Sequence, residues 1–91
     1  MIGQFAFSKA GHDKQKTYVI IAVDEQYVYL SDGRLKKVNQ PKRKKVKHIQ
    51  IVNRKVEENL LVRLINKEIV FDEEIKYAIR KFSDGEAAKD S

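Results

Sequence analysis

The chain has 91 residues, of which 42% are hydrophobic and 35% are charged, and it contains no cysteine. This length favours a single small domain, and the lack of cysteine excludes disulfides and thiolate zinc sites. The formal net charge is +6, but residues 1–55 hold thirteen Lys or Arg against four acids, whereas residues 56–91 hold six against nine. A basic first half and a mildly acidic second half favour a module with one polyanion-binding face.

The first half of the chain shows the patterns of strands. The predicted strands here are residues 4–8, 17–23 and 27–31. The first places Phe5 and Phe7 two positions apart, and the second is apolar on both faces, as in a central strand covered on both sides. Residues 24–26 are predicted to form a tight turn, and residues 9–16 are predicted to form a basic loop in which Gly11 adopts a positive φ.

The pair Asp32-Gly33 is a strong signal for a two-residue type I′ turn. It predicts that residues 34–38 pair back onto the third strand, with a bulge because Leu35 and Val38 are out of phase with a period of two.

Pro41 favours an exposed loop over residues 39–44, because proline lacks an amide donor and disfavours helix before it. Residues 46–52 place Ile49 and Ile51 on one face and predict a fifth strand. Five short strands in this space favour a small closed barrel, which would leave no exposed edge.

From Val56 onward the hydrophobic period becomes helical. The first stripe is Val56, Leu60, Leu61, Leu64 and Ile65, and the second is Ile75, Ala78, Ile79 and Phe82. Asn66 is expected to end the first helix, and Asp72 is expected to cap the second, with Glu73 and Glu74 in its positive first turn. The two helices are predicted to pack together and cover the second face of residues 17–23.

The sequence therefore predicts a mainly β fold, a small SH3-like barrel of about five strands followed by two α-helices. The expected organisation is a barrel in residues 1–53, a helical pair packed on it in residues 54–82, and a disordered tail in residues 83–91. No apolar stretch is long enough to span a membrane, and no leader-like segment is recognisable, so we expect a cytoplasmic protein that does not bind membranes.

Three segments resemble a KOW-type domain, the SH3-like barrel of several large-subunit ribosomal proteins and transcription elongation factors. They are FAFSKAGHDK at residues 5–14, SDGRLKKV at 31–38 and PKRKKVKH at 41–48. With the apolar strand at 17–23, they are similar to short KOW-containing RNA-binding proteins of anaerobic Gram-positive bacteria. The resemblance implies an SH3-like barrel and RNA binding, although Gln15 stands where many relatives have glycine.

The densest basic segment is residues 34–47, which hold eight Lys or Arg and no acid. Cations held at fixed spacing on a fold are typical of phosphate-binding surfaces, because each contact releases a condensed counterion. The candidate nucleic-acid-binding residues are Lys9, Lys14, Lys16, Arg34, Lys36, Lys37, Lys42, Arg43, Lys44, Lys45 and Lys47. The alternative is a solvated loop without a ligand, and cations on the second helix are expected to matter much less.

Three tyrosines, Tyr18, Tyr27 and Tyr29, are candidates for stacking on unpaired bases. Core packing is the favoured interpretation, with at least one of Tyr27 and Tyr29 expected to remain partly exposed. His12 and His48 are 36 positions apart without a carboxylate cluster, so no metal site is predicted. No nucleophile–base pair or phosphate-cradling glycine loop occurs, and neither an enzyme nor a cofactor is expected.

The predicted function is RNA binding, with ribosomal RNA or the ribosome as the target and a role in translation. The alternative is a protein-interaction module that docks on the translation or transcription machinery through the barrel or the acidic helices. Ribosomal proteins are the expected protein partners, and the chain is expected to be a monomer.

Overall fold

The computed structural model describes residues 1–9 and 16–90, the last five of these by their backbone only. Five strands precede two helices. The strands are β1 (Gln4–Ser8), β2 (Thr17–Asp24), β3 (Tyr27–Ser31), β4 (Lys42–Lys45) and β5 (Ile49–Lys55), and the helices are α1 (Glu58–Ile65) and α2 (Asp72–Asp90). The predicted fold class, mainly β with two C-terminal helices, is confirmed.

All five strands form one antiparallel sheet in the order β4-β3-β2-β1-β5. The expected closure is wrong, because within the described residues no ladder joins β4 to β5 and these strands are the two edges. A 3₁₀ turn, Val46–His48, links them instead. The sheet is nevertheless curled, since Lys44 Nζ on β4 lies 3.2 Å from Ser8 Oγ on β1. This arrangement is consistent with a small SH3-like fold whose barrel remains open.

Side chains of β2 alternate between two hydrophobic clusters, one on each face of the sheet. The inner face, which carries Tyr18 and Ile20, packs among residues of the curled sheet: Ala6, Val28, Leu30 and Ile49. The outer face, which carries Val19, packs with Phe5 and with the helical residues Leu60, Leu64, Ile75 and Phe82. The prediction that the helices cover the second face of this strand is confirmed, and so is the core position of Tyr18.

The predicted hairpin after β3 is wrong. A type I′ turn needs positive φ at both central residues, but Gly33 has φ +73° whereas Asp32 is not among the described residues with positive φ. Residues 34–38 form an irregular loop in which Leu35 is 76% exposed. The strand that pairs with β3 on the side away from β2 is β4.

The bounds of the last two strands also differ from prediction. Part of the expected loop 39–44 is strand, because β4 begins directly after Pro41, where a missing amide donor breaks no ladder. The expected strand 46–52 begins instead at Ile49 and continues to Lys55. Ile49 and Ile51 share the inner face as predicted.

Helix α1 ends at Ile65 with Asn66 as its C-cap, in agreement with the prediction that Asn66 marks its end, and its buried residues are Leu60 and Leu64. Ile65, the last residue of the helix, was expected in the same stripe but is 54% exposed. In α2 the predicted stripe is confirmed, with Ile75 and Phe82 buried and the other two members partly buried against the outer cluster.

An ion pair joins the two helices. Arg63 of α1 donates to both carboxylate oxygens of Glu74, which also accepts the Phe71 amide at 2.9 Å. The hydrogen bond from Arg63 is the main cause that lowers the pKa of Glu74, followed by the Phe71 amide. The same bond raises the pKa of Arg63. Glu74 therefore has the structural role predicted for it.

The tail expected to be disordered is helical as far as the structure describes it, because α2 continues to Asp90. Ser91 lies outside the described residues. Among the described helices, none is long and apolar enough to cross a membrane.

Candidate nucleic-acid interface

The edge strand β4 divides its four basic side chains between the two faces of the sheet. Lys42 and Lys44 lie opposite Leu30 and Val28, whose side chains belong to the inner cluster. Both lysines are half-buried: Lys42 Nζ is 5.9 Å from the centroid of the Tyr18 ring, and Lys44 Nζ contacts Ser8. These two cations help to close the open side of the curled sheet.

The other two cations of β4 lie on the outer face. Arg43 is directly opposite Tyr29, and Lys45 is directly opposite Tyr27. Arg43 Cζ also lies 4.6 Å from the centroid of the Tyr27 ring, which is cation–π contact. Both tyrosines are half-buried, as predicted for at least one of them. We call these four residues the tyrosine platform.

The loop after β3 is held by its own side chains. Asp32 Oδ1 accepts the amides of Arg34 at 2.8 Å and Lys36 at 2.9 Å. Ser31 Oγ donates to the Lys36 carbonyl at 2.8 Å and accepts the Gly33 amide at 3.2 Å. Short polar side chains that bind nearby amides favour such turns over strands, which explains why residues 34–38 do not extend the sheet.

This loop is fastened to the start of α2. Gly33 approaches so closely that a Cβ atom would collide with the Asp72 carbonyl oxygen and lie 2.9 Å from Lys76 Cγ. Asp72 Oδ1 accepts the Val38 amide at 2.8 Å. Asp72 was expected to cap its own helix, but its carboxylate binds the loop instead.

A groove of about 1150 Å³ runs between this loop and α2. We call it the α2 groove. Its cations come from both halves of the chain: Lys16, Arg34, Lys37, Lys76 and Arg80. Three acids also line it, but Asp32 and Asp72 bind backbone amides, and Glu73 Oε1 lies 3.9 Å from Lys76 Nζ. The groove therefore presents a surplus of positive charge.

The structure does not gather every predicted site residue. Lys36 is half-buried in the loop, Lys47 is exposed on the 3₁₀ turn, and the exposed Lys9 borders a separate groove along β1 and β5. Lys14 and Gly11 lie outside the described residues. The ten candidates that the structure describes are thus divided among the α2 groove, the tyrosine platform, the inner face and other positions.

Sequence reasoning missed Lys76 and Arg80, which were expected to lie away from the basic surface. They are four positions apart, so the helical period places them on one face of α2. The signal was therefore present, but only the packing of α2 against Gly33 shows that this face meets the basic loop.

The described residues contain no cluster of His, Cys, Asp or Glu suited to a metal ion. His48 is exposed, and His12 lies outside the described residues. Comparisons with protein-family models and with curated proteins give no match for this chain.

Proposed function

We propose that this protein binds RNA, with ribosomal RNA or the ribosome as its target, through the α2 groove and the tyrosine platform. The observation that carries the proposal is the convergence of five cations on one groove from segments far apart in the chain. Lys and Arg residues that a fold holds close together bind phosphates and release the counterions condensed on them. Cations that are scattered over a surface among acidic residues do not form such a groove.

The two regions lie on the same side of the sheet. Helix α2 packs on the outer face, and the tyrosine platform occupies the outer face of β3 and β4. Tyr29 of the platform and Gly33 at the groove are four residues apart, and four residues of extended chain span roughly 13 Å. This spacing supports one RNA strand that contacts both regions. The resemblance to KOW domains supports the same proposal, and a cytoplasmic setting belongs to it.

The test is the salt dependence of binding to a short fluorescent RNA of mixed sequence. If about five phosphates are neutralised, log affinity should fall against log salt with a slope of about −3.5 to −4.5. A flat response would contradict the proposal. Crosslinking in cells followed by sequencing of the attached RNA would then identify the target.

Two triple variants with the same change of charge locate the site. The site variant replaces Arg34, Lys37 and Arg80 with Gln, and the control replaces Lys55, Lys67 and Lys81 with Gln. The site variant should bind more weakly and show a slope shallower by about 2 to 3, since each lost phosphate contact removes about 0.7 to 0.9. Equal losses in both variants would mean that binding follows net charge rather than this groove.

A second candidate function, docking on a protein, is favoured by exposed apolar residues on α1 and on the linker between the two helices. Val62 and Ile65 lie on the outer side of α1, and Ile69 and Phe71 in the linker are 75% and 63% exposed. Glu58 precedes Val62 by one helical turn, so the partner surface that fits is apolar at its centre and basic at its rim, as on a ribosomal protein.

This second function is tested with purified ribosomal proteins freed of RNA. Val62→Ser with Ile65→Ser should abolish binding to one of them, whereas the triple variant of the α2 groove should retain it. Binding that follows the groove variant instead would contradict the docking role.

A further inference from the structure

We infer that the tyrosine platform holds an unpaired nucleobase, so that the preferred ligand is single-stranded or looped-out RNA rather than a duplex. This inference rests on the proposed function and names the class of RNA that the same surface selects. The argument depends on which side chains the sheet leaves uncovered on its outer face.

The helices cover only part of that face. The hydrophobic cluster that they close contains residues of β1, β2 and β5, and within the described residues no member of β3 or β4 belongs to it. Val28 and Leu30 are fully buried on the inner face, so the alternation of β3 directs Tyr27 and Tyr29 to the uncovered side. Two neighbouring aromatic side chains thus lie half-buried beside a free sheet edge.

The two tyrosines differ in what already contacts them. The Arg43 guanidinium lies 4.6 Å from the centre of the Tyr27 ring, a separation that leaves no space for a base between them. Among the described residues, the ring of Tyr29 makes no cation–π contact and no contact with another aromatic ring. We therefore assign Tyr29 as the stacking residue and Tyr27 as a positioning residue that holds Arg43 beside it.

The charges around the platform fit the backbone that accompanies an unpaired base. Arg43 lies directly opposite Tyr29, and Lys45 lies two pairs further along the same ladder, opposite Tyr27. Aromatic rings that stack on bases next to cations that contact phosphates are the combination used to bind single strands. In a duplex the faces of the bases are already stacked on each other, so a duplex can contact the tyrosine platform only through its phosphates.

The experiment compares a single-stranded RNA with a fully paired duplex of the same length and composition. Tyr29→Leu should weaken binding of the single strand about 5- to 150-fold, the range expected for one lost stacking contact, and should leave duplex binding nearly unchanged. Tyr29→Phe is the matched control, because it keeps the ring, and it should bind as the native protein does. Retained duplex binding shows that the Tyr29→Leu protein is folded.

The positioning role of Tyr27 is tested by non-additivity. Tyr27→Leu should weaken binding in the native background but have little further effect when Arg43 is already Gln, because both changes remove the same contact.

Stacking on Tyr29 is also tested by fluorescence. Quenching of a 2-aminopurine base in the single strand should disappear with Tyr29→Leu and persist with Tyr29→Phe.

The outcomes separate this inference from the proposed function. Salt-dependent binding that is equal for single strand and duplex, and unaffected by Tyr29→Leu, would overturn base stacking and leave RNA binding standing. The absence of salt-dependent binding to either RNA would overturn both.

Discussion

The outer face of the sheet has two regions with different compositions and different neighbours. Over β1 and β2 it carries Phe5 and Val19, which are buried beneath the helices, and Phe5 stacks on Phe82 with ring centroids 4.2 Å apart. Over β3 and β4 it carries Tyr27, Tyr29 and cations of the edge strand, and the helical cluster does not include them. We call these the covered region and the uncovered region.

The difference separates side chains that stabilise the fold from side chains that the proposed RNA ligand would contact. In the covered region, Phe5 and Val19 are almost completely removed from water, which contributes about 25 cal/mol per Å² of apolar surface. Tyrosine, lysine and arginine carry both an apolar body and a polar end, so they tolerate partial exposure and remain available to a ligand. Substitutions in the covered region should therefore affect folding, and those in the uncovered region should affect binding.

The largest effect is expected at Leu64 of α1, which is 6% exposed and packs in the hydrophobic cluster over the covered region. Leu64→Asp should lower the free energy of unfolding by about 3 to 5 kcal/mol, because it places an unpaired charge in the core. Val62→Asp is the control on the same helix, where the side chain is 45% exposed, and it should cost less than about 1 kcal/mol. Denaturant titrations measure both, and similar losses would mean that Leu64 is not a core residue.

The next effect concerns Gly33, where the basic loop meets α2. Gly33→Val should destabilise the protein by about 2 kcal/mol or more, because a β-branched residue is strained at positive φ and its Cβ would collide with the Asp72 carbonyl.

Gly85→Ala in α2 is the matched control, since its Cβ would lie at ordinary contact distance from Arg54. It should be neutral or stabilising by up to about 1 kcal/mol, because alanine favours helix. A harmless Gly33→Val would show that the loop does not pack on α2 in solution.

A smaller effect distinguishes the two sides of β4. Replacing Lys42 and Lys44 with Gln should lower the free energy of unfolding by about 1 kcal/mol, since Lys42 contacts the Tyr18 ring and Lys44 contacts Ser8. Replacing Arg43 and Lys45 with Gln should change stability by less than about 0.5 kcal/mol and weaken RNA binding more. This refines the expectation that all four cations are equivalent members of an exposed loop, and equal effects of the two pairs would contradict it.

The smallest effect is the pH dependence of the Arg63–Glu74 pair. The folded pKa of Glu74 lies below its ordinary value of 4.5, so its contribution to stability is complete above pH 4.5 and is lost as pH falls through the lowered value. The difference in unfolding free energy between the native protein and Glu74→Gln should shrink over that range. A difference that stays constant into strong acid would mean that the ion pair does not form.

Local patterns predicted much of this fold. The alternation at residues 4–8 and 27–31 located β1 and β3 at their observed bounds, and the helical stripes identified the buried residues Leu60, Leu64 and Phe82. These features depend on neighbours a few positions apart, so the sequence carries them directly.

The wrong strand prediction occurred where two segments of the chain could each pair with β3. Residues 34–38 and 42–45 both follow β3 and both contain basic residues, and the Asp32-Gly33 signal favoured the wrong one. The side chains of Ser31 and Asp32 hydrogen-bond backbone groups of residues 33–36 and favour the loop, but residue type alone did not show which groups they would bind.

The sequence by itself thus determined four of the five strands, two amphipathic helices and a basic segment at residues 34–47, because periodicity and charge are properties of the chain. Only the tertiary structure decided which cations share a surface. The bond from the Val38 amide to Asp72 spans 34 positions, and contacts at such separation depend on how the helices pack on the sheet. That packing brings Lys76 and Arg80, from the acidic half, into one groove with Arg34 and Lys37.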